Sequence, residues 1–122
     1  MNHNEHLEVA RRIFAGLAKL DPDADRLALI DGTMVAGYHL GNAVLHAHGV
    51  TDPSVHFNTP SKFEVAPDAL PSALKPVYEA FDALEKLRSR YVRNPSEPDR
   101  NAALSAQQLL AHMAKLCGVA DG

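Results

Sequence analysis

The stretch from about Asp23 to His48 is the strongest constraint on how this chain can fold. Leu27, Leu29, Ile30, Met34, Val35, Ala36, Leu40, Val44 and Leu45 surround a helical axis there instead of striping one side of it. A helix that is apolar almost all round has to be buried among neighbours, so the segment predicts the central helix of an all-α fold. Gly32, Gly37 and Gly41 each cost about 1 kcal/mol relative to alanine in a helix interior, and close packing of neighbouring helices is the physical reason to tolerate them. Gly32, Ala36, Ala43 and Ala47 form a small-residue line suited to such an approach, and Gly49 follows as a C-terminal stop.

Three further amphipathic segments supply the neighbours. Leu7, Ala10, Ile13, Phe14, Leu17 and Leu20 share one face of a helix expected over about Asn4–Leu20, and Asp21-Pro22-Asp23 stops it and offers a cap to the next. A helix over about Pro71–Val92 carries Leu70, Leu74, Val77, Phe81, Leu84, Arg88 and Tyr91 at alternating spacings of four and three, a heptad-like seam. Arg88 is the anomaly in that seam, and Pro76 fits only in the first turn or at a kink. After the turn Asn94–Asp99, in which Ser96 and Asp99 are spaced as a capping box, a fourth helix reaches about Cys117. Its inward residues are expected to be Ala102, Ala106, Leu109, Leu110, Met113, Leu116 and Cys117. Residues 50–68 contain Pro53, Pro60 and Pro67, which exclude a continuous helix; a hairpin around Asn58–Ser61 and anchoring by Phe57 and Phe63 are expected there. The reading is a four-helix bundle with a long loop between helices two and three. At 122 residues, residues 1–122 form one domain on a length prior of roughly 100–200 residues per domain.

Composition narrows the function classes. Twelve Lys+Arg against fifteen Asp+Glu leave a net charge of −3, so no bulk electrostatic case for nucleic acid exists. Cys117 is the single cysteine, which excludes an intramolecular disulfide and a thiolate zinc site built from one chain. No run approaches the ~20 apolar residues of a membrane span, and the first residues lack the basic-then-apolar pattern of a signal peptide. The expectation is a soluble, cytoplasmic protein without a membrane partner. Phosphate-loop and nucleophile-elbow motifs are absent from the sequence.

The central segment Met34-Val35-Ala36-Gly37-Tyr38-His39-Leu40-Gly41-Asn42-Ala43-Val44-Leu45-His46-Ala47-His48-Gly49 is preceded by a medium helix. It is followed by a variable loop, a helix ending in Leu87-Arg88-Ser89-Arg90-Tyr91-Val92-Arg93-Asn94, and a shorter Ala/Leu-rich helix. In this order the chain resembles the higher eukaryotes and prokaryotes nucleotide-binding (HEPN) superfamily over roughly residues 5–117. Ribonuclease members of that superfamily carry an arginine, a polar residue, three to five further residues and a histidine at the end of the third helix. Arg93-Asn94 matches the opening, but Pro95 to Arg100 offers no histidine, and neither Arg88 nor Arg90 has one at the right distance. A general base for ribose-hydroxyl attack is therefore missing. The resemblance implies a non-catalytic binding module, homodimeric, with a nucleotide, RNA or protein as partner. A small enzyme or RNA-cleaving toxin using Tyr38, His39, Arg88 and Arg93 in a variant site is the alternative.

Seven histidines form the other constellation. Asp31, His39, Asn42 and His46 lie on one stripe of the central helix, at spacings of eight, three and four, with His48 and His56 close in sequence. Imidazoles with a carboxylate can bind zinc or iron, but bundle metal sites draw ligand pairs from several helices. His6 sits at an expected frayed terminus, and His112 is alone on the fourth helix. The stripe accordingly reads as the wet side of a mostly buried helix, with a polar ligand cleft and a histidine-based metal site as the competing readings. Candidate ligand-binding residues are Tyr38, His39, Asn42, His46, Arg88 and Arg93; no catalytic residue, metal ligand or cofactor is assigned.

Overall fold

The computed structural model describes residues 1–56 and 70–119. Four helices, α1 (His3–Leu17), α2 (Arg26–Ala47), α3 (Lys75–Tyr91) and α4 (Arg100–Leu116), follow one another, with a short 3-10 turn at Ser72–Leu74 ahead of α3. No strand occurs among the described residues, and the all-α four-helix arrangement is the one the periodicities predict. The expected hairpin and the anchoring of Phe57 and Phe63 fall outside the described residues. No described helix is long and apolar enough to cross a membrane.

α2 is the centre. It packs against all three other helices, and α3 and α4 also pack on each other, whereas α1 rests chiefly on α2. Leu29, Ile30, Met34, Ala36, Leu40, Ala43 and Leu45 of α2 are fully buried. The glycines have the packing role expected of them, and the partners belong to this chain. A Cβ at Gly37 would come within 3.1 Å of Leu84 and 3.3 Å of Phe81, and one at Gly41 within 3.2 Å of Phe81. A Cβ at Gly32 would collide with Leu17 of α1. The close approach at Gly37 and Gly41 is thus filled by α3, without a second copy of the chain.

The helix ends correct several expectations. α1 begins earlier than Asn4: Asn2 accepts from the Glu5 backbone N–H at 2.9 Å while the Glu5 carboxylate accepts from the Asn2 N–H at 3.0 Å, a complete capping box. This cap makes the N-terminus a structured helix end, and His6, expected to fray, is only 1% exposed. The carboxylates of the first link do not cap α2. Asp21 instead accepts from the Asp23 N–H and Asp25 from the Asp21 N–H, so they knit the turn itself. Pro76 lies in the first turn of α3, where its missing N–H is harmless. At α4 the cap is Asp99 alone, accepting from the Ala102 N–H, rather than a Ser96–Asp99 box. Leu116, expected inward, is 41% exposed because α4 ends on that residue.

α2 ends in a Schellman motif that matters for the site. Gly49 takes φ +68°, the Val50 N–H donates to the Leu45 carbonyl at 2.9 Å, and the Gly49 N–H donates to that of His46 at 3.1 Å. The turn after it is held by Asp52, which accepts from the N–H and hydroxyl of Ser54, and by the Val55 N–H donating to the Asp52 carbonyl. These bonds fold residues 50–56 back onto the end of α2.

Candidate metal centre

α1 lies along α2 so that the start of one meets the end of the other, and the His3 Nδ1 donates to the Ala43 carbonyl at 2.9 Å. One turn further on, His6 enters the interface. Its ring lies 5.2 Å from those of His39 and His46 and 4.9 Å from that of His56, centroid to centroid. His46 and His56 are also 5.2 Å apart, and Tyr38 closes one side at 4.8 Å from His39. Three separate pieces of chain therefore converge: α1 through His6, α2 through His39 and His46, and the folded-back turn through His56.

The hydrogen-bond inventory separates these rings. His6 and His39 share a bond between their Nδ1 atoms at 3.0 Å. The His46 Nδ1 is bonded to the Thr51 hydroxyl at 3.0 Å. By contrast, Nε2 of His6, His46 and His56 are all buried with no protein partner. Each of these three residues offers one ring nitrogen within 4.8 Å of those of the other two. Buried polar atoms in native proteins are paired, and three orphans in one place require an explanation. A tetrahedral ion with Zn–N bonds of about 2.0–2.1 Å holds its donors ~3.3 Å apart, so a modest inward movement of the rings would complete coordination.

The electrostatics favour the ligand form of the imidazoles. Burial, reinforced by His39, His56 and His46, holds the His6 pKa down to about 3. Burial also lowers His39, with His56 adding to it, and lowers His46, for which the Thr51 backbone works the other way. Neutral imidazole is the species that binds a metal ion. Burial raises the Tyr38 pKa, so the phenol keeps its proton.

The sequence candidates divide. Tyr38, His39 and His46 belong to this cluster. Asn42 lies beside it but is 0% exposed and donates to the Tyr38 carbonyl at 2.8 Å, which ties it to its own helix. The stripe is therefore not a wet side: His39 is 8% exposed and Asn42 wholly buried. Arg88 donates from Nε to Asp31 at 2.8 Å, and both side chains are partly exposed. Asp31 is fifteen residues from His46, about 22 Å along α2 at 1.5 Å per residue, so Arg88 belongs to the opposite end of the bundle. Arg93 is exposed beyond the end of α3. His6 and His56, which the structure adds to the cluster, are not among the sequence candidates. The Asn2–Glu5 spacing was the signal that could have kept His6 in view, since a capped first turn holds its side chains in place.

No protein-family model matches the chain, and no curated protein or solved structure matches it.

Proposed function

We propose that this protein binds one divalent transition-metal ion through His6, His46 and His56. The observation that carries the reading is the set of three buried, unpartnered Nε2 atoms at the meeting point of three chain segments. An all-imidazole donor set suits Zn2+, Co2+, Ni2+ or Cu2+ over Mg2+ or Ca2+, which prefer oxygen. Three protein ligands leave a position for water or a substrate, the arrangement in which zinc acts as a Lewis acid or lowers the pKa of bound water. Among this chain's own groups, the protonated Tyr38 stands beside the rings as a hydrogen-bond donor.

The test is metal stoichiometry. Purified, chelator-treated protein should take up about one equivalent of Zn2+, and His6→Ala or His56→Ala should each abolish tight uptake. His48→Ala and His112→Ala, both at exposed positions outside the cluster, should leave it unchanged. A wild-type protein that binds no Zn2+ at micromolar concentration overturns the reading.

A second reading follows the HEPN resemblance: a homodimeric, cytoplasmic interaction module for a nucleotide, RNA or protein. The order of the helices supports it. Of the candidate residues for that module, Tyr38, His39 and His46 belong to the histidine cluster and Arg88 pairs with Asp31 away from it. Light scattering that gives a mass near 13.2 kDa at micromolar concentration would remove the dimer.

A further inference from the structure

We infer that His39 is a positioning residue for the metal centre, one that fixes the hydrogen of His6 on Nδ1 and so frees Nε2 for the ion. The inference rests on the metal reading given above and concerns a residue outside the three ligands. The two rings meet Nδ1 to Nδ1 at 3.0 Å, and a neutral imidazole carries one hydrogen, on one nitrogen or the other. Only two arrangements of a neutral pair make this bond. In the first, His6 Nδ1–H donates to His39, whose own hydrogen is on Nε2. In the second, His39 Nδ1–H donates to His6, and the His6 hydrogen is displaced to Nε2.

The second arrangement puts an N–H on a buried nitrogen that has no partner, and an orphaned buried donor is costly. It also covers the lone pair the ion would need. The first arrangement places the displaced hydrogen on His39, the less enclosed ring, which is 8% exposed against 1% for His6. His39 therefore acts as an acceptor for the N–H of a ligand, the role carboxylates and backbone carbonyls play behind metal-bound histidines elsewhere. His46 has its counterpart in Thr51, whose hydroxyl oxygen at 3.0 Å can accept from the His46 Nδ1–H. Each of these two ligands is thus backed by an acceptor at Nδ1 and presents Nε2. The tilt of the His6 ring is set by the same contact, because His39 is held on the buried side of α2.

The variants His39→Leu and His39→Asn separate this role from packing. Leucine fills the space without an acceptor, while the asparagine Oδ1 occupies nearly the position of the histidine Nδ1 and accepts the same hydrogen bond. Chelator-treated proteins are titrated with Co2+, whose visible absorption reports tetrahedral coordination, and far-UV circular dichroism checks that the helices are retained. His39→Leu should bind Co2+ about 10- to 100-fold more weakly than wild type, as expected for loss of an outer-sphere partner, and His39→Asn should recover most of that loss. Equal affinity in wild type and His39→Leu, or equal loss in both variants, overturns the inference. A wild type that binds no Co2+ overturns the metal reading. In that case the 15N shifts of the histidine rings in the metal-free protein still decide the tautomer. His6 protonated at Nδ1 and His39 at Nε2 is the expected result, and His6 protonated at Nε2 refutes the role of His39.

Discussion

Two faces of α2 pose opposite physical problems. On the face of Gly37 and Gly41 the helix is sealed by Phe81, Leu84 and Met113, with the Tyr78 hydroxyl as the polar group near Gly41. On the opposite face, at His39 and His46, the atoms brought together are ring nitrogens, three of them buried and unpaired. Burial stabilises the first face and is a liability on the second unless something occupies the gap. A bundle of this size does not need four histidines and a tyrosine to cover one face of its central helix. Phenylalanine, leucine and methionine cover the other.

The largest expected effect lies on the apolar face. Phe81 is 0% exposed and touches both glycines, so Phe81→Ala leaves a cavity against the backbone of α2 that neighbouring helices cannot fill. A loss of about 3–5 kcal/mol is expected for such a truncation, read by urea unfolding. A loss below about 1 kcal/mol would mean that the α2–α3 contact is not the anchor of the fold.

Acid should act on the other face. The His6 pKa of about 3 lies below the value of 6.5 for an unperturbed histidine, so in the interval between them the unfolded chain binds a proton that the folded chain does not. The stabilisation is complete above pH 6.5 and is lost as pH falls toward 3, with a limiting slope of about 1.4 kcal/mol per pH unit from His6. His39 and His46, lowered in the same direction, steepen the loss. Metal-free protein should therefore have a stability that declines below pH 6, and His6→Phe should flatten that decline. Stability independent of pH between 6 and 4 would show that these rings are not held neutral by the fold.

What was legible in the sequence follows from the same contrast. The four helices, their order and the centrality of α2 are encoded in local spacing. Gly49, Pro76 and the apolar residues on every side of α2 each act through the chain immediately around them. α2 does keep an exposed side, but it carries Leu27 and Val35, 47% and 41% exposed against the expectation of burial, and not His39 and Asn42. The histidine cluster is a different kind of object. It depends on the start of α1 lying against the end of α2, and on the Schellman turn at Gly49 returning His56 to the same place. Neither pairing is written in the spacing of any one segment. Arg88 shows the same limit: its place in the α3 seam was visible, but not that Asp31, 57 residues away in sequence, would be its partner.

Arg88 also gives the smallest expected effect and the sharpest control. Its ion pair with Asp31 joins α3 to α2 at 2.8 Å, with the two side chains 28% and 46% exposed. A pair this open to water is worth about 0–1 kcal/mol and is screened by salt, and the arginine stem can pack along the seam whether or not its head is paired. Arg88→Met keeps most of the stem and removes the charge. It should change stability by less than about 1 kcal/mol, with the difference shrinking in 0.5 M NaCl, a concentration at which the Debye length is only about 4 Å. Asp31→Asn should produce a similar change, and the double variant should show little additional loss. Because Asp31 is some 22 Å from His46 along the helix, none of these variants should alter Zn2+ or Co2+ affinity. A shift in metal affinity on removing Arg88 would mean that the two ends of α2 are coupled and do not act separately. A large loss of stability would mean that Asp31, left without its cation, is far less solvated in the folded protein than its exposure implies.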